Sequence, residues 1–405
     1  MSNTDPKAAT GPLKGVRVIE MGQLIAGPFC GQLLGDFGAE VIKIEPPGIG
    51  DPMRGWGQQK KDGRPLWWSV IARNKKSVTL DLRQAEGQEI ARQLIAKSDV
   101  LIENFRPGTM EKWGLDYAAL SKLNPRLVMI RVSGYGQTGP YAKRPGYGQI
   151  GEAMGGLRYV IGEPDRVPAR AGISIGDSLA ATYACLGGIM ALYAREKTGR
   201  GQIVDSAIYE AVLAMMESLV IEYDQTGYVR ERTGSVLPGI APSNIYPAKD
   251  GTLVMISGNQ DSVFKRLAVA MDQPSLGTDP RFVDHAGRGT NMELLDGIIA
   301  DWTKSLSADE ILKHLDANDV PAGVAYRGPE MFADAHYKAR EAITKVAHPF
   351  FGEVAMQNVA PRMSDTPGNI RWVGPELGQH NEAILGEVLK MPAGEIARLK
   401  QAKII

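Results

Sequence analysis

The alternation of strand-like and helix-like segments near the start of the chain constrains its fold most. Val16–Glu20 and Val41–Ile44 are short β-branched runs, and Ala26–Phe37 between them carries apolar residues at helical spacing. A strand, a helix and a strand within about thirty residues form a βαβ unit, whose two strands are parallel. The sequence therefore predicts a parallel sheet.

The same alternation continues through the first third of the chain. Predicted strands cover Ser77–Leu82, Val100–Glu103 and Leu127–Val132, and a predicted helix covers Glu86–Lys97. This pattern is typical of a doubly wound α/β layer. No Gly-x-Gly-x-x-Gly follows the first strand, so the topology alone does not indicate NAD binding.

The second half of the chain predicts a smaller domain of short strands and three helices. We place its boundaries near Gly227 and Val324. Its helices are predicted over Gln260–Met271, Asn291–Ser305 and Ser307–Asp316, a strand and a helix precede it over Gln202–Met216, and a final surface helix follows over Asn381–Leu389. Gly134–Gly151, rich in Gly, Tyr and Pro, predicts a long ordered loop.

A carboxylate directly before a long apolar helix is the strongest candidate for chemistry. In the segment AGISIGD, Gly172 and Gly176 bracket a short apolar run, and Asp177 follows. The apolar segment after it predicts a buried helix of about five turns. Free N–H groups and the dipole at a helix N-terminus favour an ionised carboxylate. The alternative is structural, because Asp is a preferred N-cap residue.

Composition excludes several classes of function. Lys plus Arg and Asp plus Glu are both 46, so nothing indicates a nucleic-acid or membrane-surface partner. The two cysteines, Cys30 and Cys185, predict no disulfide framework and favour a cytoplasmic location. No Cys/His cluster has metal-site spacing, and the N-terminal residues lack a signal-peptide core. The most apolar segment, Ser178–Tyr193, is expected to be too short to span a bilayer.

Six sequence blocks follow one another along the chain at intervals that can be compared with known families. They are LKGVRVIEMGQLIAGPFCGQLLGDFGAEVIKIEPP, NKKSVTLDL, IENFRPGTMEKWGL, VSGYGQTGPY, GISIGDSLA and EKTGRGQIVDSAIYEA. Together they resemble the class III CoA-transferase family, which includes formyl-CoA transferase and carnitine CoA-transferase. The resemblance implies an α/β fold with a Rossmann-like large domain formed by both chain ends (1–226 and 325–405) and a smaller inserted α+β domain (227–324). It also implies an interlocked homodimer.

In that family the nucleophile is the aspartate of a Gly-Asp pair before a buried helix, which is Asp177 here. The resemblance implies that its carboxylate attacks an acyl-CoA thioester to give a mixed anhydride and then an aspartyl-CoA thioester. The oxyanions need N–H donors. Gly155–Gly156 and Gly239 are candidates for these, although turn geometry also explains such glycines. Coenzyme A enters as a substrate, and no tightly bound cofactor or metal is expected.

The resemblance also assigns residues to CoA binding. The candidates are Leu24, Ile25, Ala26, Arg83, Asn104, Phe105, Arg106, Lys112 and Tyr147. Phe105 is the expected adenine contact, and Arg83 and Lys112 are the expected phosphate partners. The alternative for both cations is an ordinary solvated surface charge.

Several residues bear on the alternatives. Pro46 and Ile25 stand where formyl-CoA transferase has a phosphate-binding arginine and an active-site glutamine, and Gly148 replaces a glutamate of that enzyme. These departures, that at Ile25 above all, weaken the alternative within the family, which is a formyl- or oxalyl-type transferase. The related α-methylacyl-CoA racemases need a His-Asp pair in the loop that here reads RPGYGQ, residues 144–149, which lacks it. A non-catalytic acyl-CoA-binding protein is an alternative of another class.

The segment from Gly146 to Ala181 resembles the branch of the family that uses succinyl-CoA and dicarboxylic or hydroxy acids. A second carboxylate on the substrate needs a cation for a charge-assisted hydrogen bond. The candidates are Arg158, Arg170, Arg230 and Arg232, of which Arg170 is attractive because it lies shortly before Asp177. A salt bridge is its structural alternative. Glu152 is expected either to orient one of these arginines or to cap a helix.

Overall fold

A computed structural model describes residues 8–405 and divides the chain into two compact units. The first unit runs to Arg158 and adds Ala171–Gly227 and Lys338–Ile405, and the second comprises Tyr159–Arg170 and Tyr228–Tyr337. The predicted boundary at Gly227 falls at the same place. The second unit differs from the prediction because it also takes Tyr159–Arg170 and continues to Tyr337. Local hydrogen bonds explain the first of these differences, since Gly234 N donates to Gly162 O at 3.0 Å.

The first unit contains a six-stranded parallel sheet. Its strands are β1 (Arg17–Glu20), β2 (Glu40–Glu45), β3 (Lys75–Thr79), β4 (Val100–Glu103), β5 (Val128–Ser133) and β6 (Ile203–Ala207). Their order is β3-β2-β1-β4-β5-β6, which is the doubly wound Rossmann order. The predicted α/β layer is confirmed.

Helices cover both faces of this sheet. The helices of the first unit are α1 (Ala26–Asp36), α2 (Trp67–Ile71), α3 (Ala85–Ala96), α4 (Thr109–Lys112), α5 (Tyr117–Leu123), α6 (Gly148–Met154), α7 (Leu157–Val160), which runs across the boundary, α8 (Ile175–Thr198), α9 (Ile208–Leu213) and α10 (Leu219–Thr226). Alternate strand residues point to opposite faces. Val18 therefore packs in the cluster under α1 and α8, whereas Ile19 packs in the cluster under α3.

The second unit is built on a three-stranded antiparallel sheet. Its strands are β7 (Ser243–Pro247), β8 (Leu253–Ser257) and β9 (Ala322–Val324), and its helices are α11 (Asp261–Ala270), α12 (His285–Thr290), α13 (Met292–Ser305), α14 (Ala308–Asp316) and α15 (Gly328–Ala333). The three predicted helices are confirmed to within one residue at each end. Arg288 is fully buried there and donates to the carbonyl oxygens of Ala241, Phe282 and Asn259.

The C-terminal part of the first unit holds a hairpin and two helices. After α16 (Ala335–Ala339), the strands β10 (Ile343–His348) and β11 (Gly352–Gln357) pair antiparallel, and α17 (Asn381–Leu389) and α18 (Ala393–Gln401) follow. The predicted bounds of α17 are confirmed. The expectation that it is the final surface helix was wrong, because Ile384 and Leu385 of α17 are fully buried and α18 comes after it.

Helix α8 is longer than the apolar run that predicted it. It has 24 residues and is the one helix in residues 8–405 that is long and apolar enough to cross a bilayer by length and composition. The expectation that this segment is too short was therefore wrong, because the helix extends beyond the run at both ends. It packs closely on the sheet: Cβ atoms added to Gly187 and Gly188 would lie 2.7 Å from Val204 and 2.6 Å from Ile130. Such close contact is typical of a helix face packed in a core, but Leu186, Met190 and Tyr193 on another face are exposed, so the expectation of a buried helix holds for one face only.

Candidate functional site

The loops after β1 and β4 meet at the carboxyl edge of the large sheet. Asn104 joins them, because its Nδ2 donates to Gln23 O and its Oδ1 accepts from Gln23 N, both at 2.8 Å. Gly22 and Gly27 make room for it, since a Cβ on either would lie 3.2 or 3.3 Å from Asn104 side-chain atoms. The strand order reverses between β1 and β4, which is where open α/β sheets bind ligands.

The segment before α1 has an unusual backbone. Leu24 has a φ of +64°, a left-handed conformation that bulky residues seldom adopt. Its N–H donates to Asp51 Oδ1 at 3.1 Å. Ile25 and Ala26 follow at the N-terminus of α1 and are both buried. The structure thus places three predicted CoA-binding residues beside Asn104, on a segment held in a strained conformation.

A buried ion network underlies this segment. Lys43 Nζ lies 2.8 Å from both Glu20 and Asp51, and Lys75 Nζ lies 2.7 Å from Glu20. All four side chains are almost completely buried. Burial alone would lower the pKa of Lys43, but the carboxylates of Glu20 and Asp51 raise it above its usual value. Burial lowers the pKa of Lys75. The network connects β1, β2 and β3 to the loop that carries Leu24.

The other predicted CoA contacts follow β4 or β3. Phe105 packs edge-on against Trp113, with ring centroids 5.1 Å apart, and its N–H donates to Glu103 at 2.8 Å. Arg106 and Lys112 are exposed on the same loop and on α4. Arg83 follows β3 and pairs with Asp81 at 2.8 Å, and this hydrogen bond lowers the pKa of Asp81. All of these residues lie after the carboxyl ends of parallel strands, on one edge of the sheet.

Asp177 reaches the same edge from helix α8. Near the start of this helix, Ala180 O accepts from Ser206 Oγ at 3.0 Å, close to the carboxyl end of β6. At its far end Arg195 donates to Asp99, just before β4, at 3.1 Å. Helix α8 therefore runs antiparallel to the strands, and its N-terminus lies at their carboxyl edge. Ser174 occupies the N-cap position and Asp177 is the third helical residue. The N-cap interpretation of Asp177 was wrong.

The start of α6 packs directly against Asp177. Gly148 is the first residue of α6 and is buried. A Cβ added there would overlap the Asp177 carboxylate and lie 2.8 Å from its Cγ. The predicted loop over Gly134–Gly151 is therefore shorter than expected, because α6 begins at Gly148. Tyr147 precedes it as an exposed N-cap residue.

Glu152 connects α6 and α7 to the first turn of α8. It is almost fully buried, its Oε1 accepts from Gly176 N at 3.3 Å, and its Oε2 accepts from Arg158 Nη2 at 3.1 Å. The sequence left open whether Glu152 orients an arginine or caps a helix, and it does both. Gly148, Glu152 and Asp177 form one packed cluster.

Replacing Gly148 with alanine tests this contact. We expect Gly148→Ala to lower the turnover number about 100-fold, because displacement of a reacting group by about 1 Å has an effect of this size. Gly386→Ala is the matched control, since Gly386 also lies in a helix and a Cβ there meets nothing within 4 Å. Turnover rates and melting temperatures of both variants are the measurement. Unchanged turnover in Gly148→Ala would show that Asp177 tolerates displacement.

The remaining candidates lie in the second unit. Arg232 donates to the carbonyl oxygens of Tyr159, Glu163 and Pro164 and holds the segment of residues 159–170 against residues 228–236. Arg170 and Arg230 also belong to this unit. Gly239 has a φ of +77°, and its carbonyl would lie 2.8 Å from a Cβ on Gly289. Backbone conformation and packing thus explain Gly239 without a catalytic role.

The other proposed oxyanion donors have similar structural explanations. Gly155 lies where a Cβ would meet Val212 at 2.6 Å, and Gly156 has a φ of +92°.

Among residues 8–405, no group of three or more His, Cys, Asp or Glu side chains is arranged to hold a metal ion.

The fold is shared with proteins of a known enzyme class. The family model for CoA-transferase family III matches residues 13–381. The chain therefore belongs to this family and is a CoA-transferase, which excludes the non-catalytic binding protein.

Individual relatives are similar to this chain along nearly its whole length. A succinyl-CoA–D-citramalate CoA-transferase of Chloroflexus aurantiacus is 56% identical over 394 residues, which cover 97% of this chain and 98% of the relative. The β subunit of a succinyl-CoA–L-malate CoA-transferase of Chloroflexus aurantiacus is 43% identical over 404 residues, 99% of this chain and all of the relative. A crystal structure of a CaiB/BaiF family protein from Brucella suis matches with a TM-score of 0.83 at 34% identity and covers 94% of this chain and 100% of that chain.

Proposed function

We propose that the enzyme moves CoA from succinyl-CoA to a short dicarboxylic or hydroxydicarboxylic acid by covalent catalysis on Asp177. The observation that carries this proposal is the carboxylate of Asp177 in the first turn of α8, at the sheet edge where Asn104 and Leu24 meet. The names of the relatives support a succinyl donor and a C4 or C5 diacid acceptor.

The proposed reaction needs no ATP, because the energy of the donor thioester is kept in covalent intermediates. The Asp177 carboxylate attacks the thioester carbonyl of the donor, the C–S bond breaks, and a mixed anhydride and CoA thiolate form. The thiolate attacks the aspartyl carbonyl and releases succinate, which leaves an aspartyl-CoA thioester. The acceptor carboxylate attacks this thioester and again forms an anhydride and a thiolate. The thiolate then attacks the acceptor carbonyl, which yields the new acyl-CoA and restores the Asp177 carboxylate.

A panel of acceptor acids tests the substrate class. We expect rapid transfer from succinyl-CoA to one or more of D-citramalate, L-malate and glutarate, and slow transfer to oxalate, followed by chromatography of the acyl-CoA products. Oxalate as the best acceptor would instead support the oxalyl-type alternative. Transfer to none of these acids would contradict the proposed substrate class.

We further propose that the enzyme is a homodimer, of the interlocked kind that the family resemblance implies. On α8, Tyr183, Leu186, Met190 and Tyr193 recur every three or four residues and keep between 37% and 66% of their surface exposed. On α10, Val220, Ile221 and Tyr223 are also exposed. Such apolar surface on a soluble monomer is unusual. A second copy of this chain accounts for it, because like helices bury like faces in a two-fold dimer.

If the exposed face of α8 forms the dimer interface, charged substitutions on that face should change the molecular mass in solution. We expect the wild type to have twice the mass of one chain in light scattering, and Leu186→Glu with Met190→Glu to shift it to monomer or aggregate, because two buried carboxylates are costly. Val269→Glu, an exposed apolar position on α11, is the control and should leave the mass unchanged. A monomeric, active wild type would contradict the dimer.

A further inference from the structure

We propose that Arg158 binds the distal carboxylate of the substrate acyl group and thereby sets the preference for dicarboxylic acids. This inference rests on the proposed function, because it names the residue of this chain that recognises the second carboxylate.

Arg158 is anchored through Glu152 to the residue that precedes Asp177. Its guanidinium donates to Glu152 at 3.1 Å, and the other oxygen of Glu152 accepts from the N–H of Gly176, the residue before Asp177. Glu152 is 2% exposed, whereas the side chain of Arg158 is 23% exposed. The buried carboxylate of Glu152 therefore holds the guanidinium of Arg158 in place, while part of the Arg158 side chain stays exposed. One hydrogen bond joins Arg158 to Glu152, and a second joins Glu152 to the backbone N–H of Gly176.

The guanidinium retains the donors that a carboxylate needs. A guanidinium carries five N–H groups in a planar fork that fits a carboxylate. Among residues 8–405, Arg158 makes one hydrogen bond, to Glu152. In a succinyl group, the second carboxylate lies about 4 to 5 Å from the reacting carbonyl carbon. A short diacid therefore suits a cation that is joined through Glu152 to the first turn of α8, and a bound distal carboxylate would turn the reacting carbonyl toward Asp177.

The other three arginines that the sequence singled out belong to the second unit. Arg232 donates to three backbone carbonyls of the second unit. Arg170 and Arg230 also belong to that unit. Within the first unit, Arg144 lies over the ring of Tyr141, with its Cζ 3.7 Å from the centroid. Of the four arginines that the sequence singled out, Arg158 belongs to the first unit and donates to Glu152, which in turn accepts from the N–H of Gly176.

The test compares two donors that differ only at the far end. Succinyl-CoA and butyryl-CoA have acyl chains of four carbons, but one ends in a carboxylate and the other in a methyl group. We expect Arg158→Gln to lower kcat/KM for succinyl-CoA about 10- to 100-fold, which is the range for a hydrogen bond to a charged group. The value for butyryl-CoA should change less than about 3-fold, within the spread of a surface substitution. Arg158→Lys should recover part of the succinyl-CoA activity, and Arg144→Gln is the matched control.

The outcomes separate this inference from the proposed function. An equal loss with both donors would show that Arg158 acts only through Glu152, and no change with either would place the carboxylate on another cation; both results overturn the inference and leave the transferase intact. A wild type that transfers CoA from neither donor overturns the proposed function as well. A selective loss for succinyl-CoA with recovery in Arg158→Lys supports the inference.

Discussion

Asp177→Asn should abolish CoA transfer, with a loss on the order of 10⁴-fold or more, as when a covalent nucleophile is removed from other enzymes. The amide has the size of the carboxylate and fits the space beside Gly148, so folding should be retained. Asp177→Glu keeps the charge but adds a methylene group where α6 leaves little room. We expect it to lose about 100-fold or more, because the carboxylate is misplaced. Steady-state transfer from succinyl-CoA measures both variants.

Asp309→Asn is the matched control for this prediction. Asp309 also lies in the first turn of a helix, α14, and is exposed. Loss of a charge there should leave activity unchanged and lower stability by less than about 1 kcal/mol. If Asp177→Asn kept more than a few per cent of the wild-type rate, the carboxylate would have only a structural role at the start of α8.

Lys75→Met should destabilise the protein by about 3 to 5 kcal/mol, the usual cost of removing one partner from a buried ion pair. Lys75 is fully buried, and its Nζ lies 2.7 Å from Glu20 and 2.6 Å from the carbonyl of Pro28 at the start of α1. Methionine fills similar volume but leaves one Glu20 oxygen without its cation. Because the same network holds Leu24, we also expect a higher KM for acyl-CoA. Urea unfolding at pH 7 measures the stability.

The neighbouring residue supplies a control on the same strand. Lys76 points to the opposite side of β3 and pairs with Glu40 at 2.6 Å, with both side chains about 30% exposed (27% and 30%). Lys76→Met should cost less than about 1 kcal/mol, as expected for a partly exposed pair. Equal losses in the two variants would mean that the buried network contributes no more than a surface pair. Adding Glu20→Gln to Lys75→Met should restore part of the stability, since the uncompensated charge is removed.

The sequence predicted the regular layer of the fold well. Strands β1, β2, β4 and β5 and helices α1 and α3 were predicted to within one residue at every end, because their apolar periodicity is set locally. The errors come from tertiary contacts. Strand β3 begins at Lys75 rather than Ser77 because Glu20 neutralises Lys75 inside the sheet. Helix α18 was not predicted, although Ile396 and Leu399 have helical spacing and both are buried in the cluster that contains Ile384 and Leu385 of α17.

Part of the candidate site was also visible in the sequence. Asp177 and the loop that carries Asn104 were singled out, and the structure places both at one edge of the sheet. The contact of Gly148 with Asp177 and the bonds of Glu152 to Gly176 and Arg158 depend on how α6 packs against α8. Local patterns do not encode such packing. A signal for the ion network did exist, because Glu20, Lys43 and Lys75 are charged residues within strands of a parallel sheet, where both faces are buried.

The most direct test of the proposed chemistry is to trap the aspartyl intermediate. The wild-type enzyme is incubated with succinyl-CoA without an acceptor, treated with hydroxylamine, digested and examined by mass spectrometry. A hydroxamate on the peptide that contains Asp177, absent without donor and absent in Asp177→Asn, is the predicted result. Turnover of succinyl-CoA with an acceptor, combined with an unmodified Asp177 peptide under trapping, would contradict covalent catalysis at this residue.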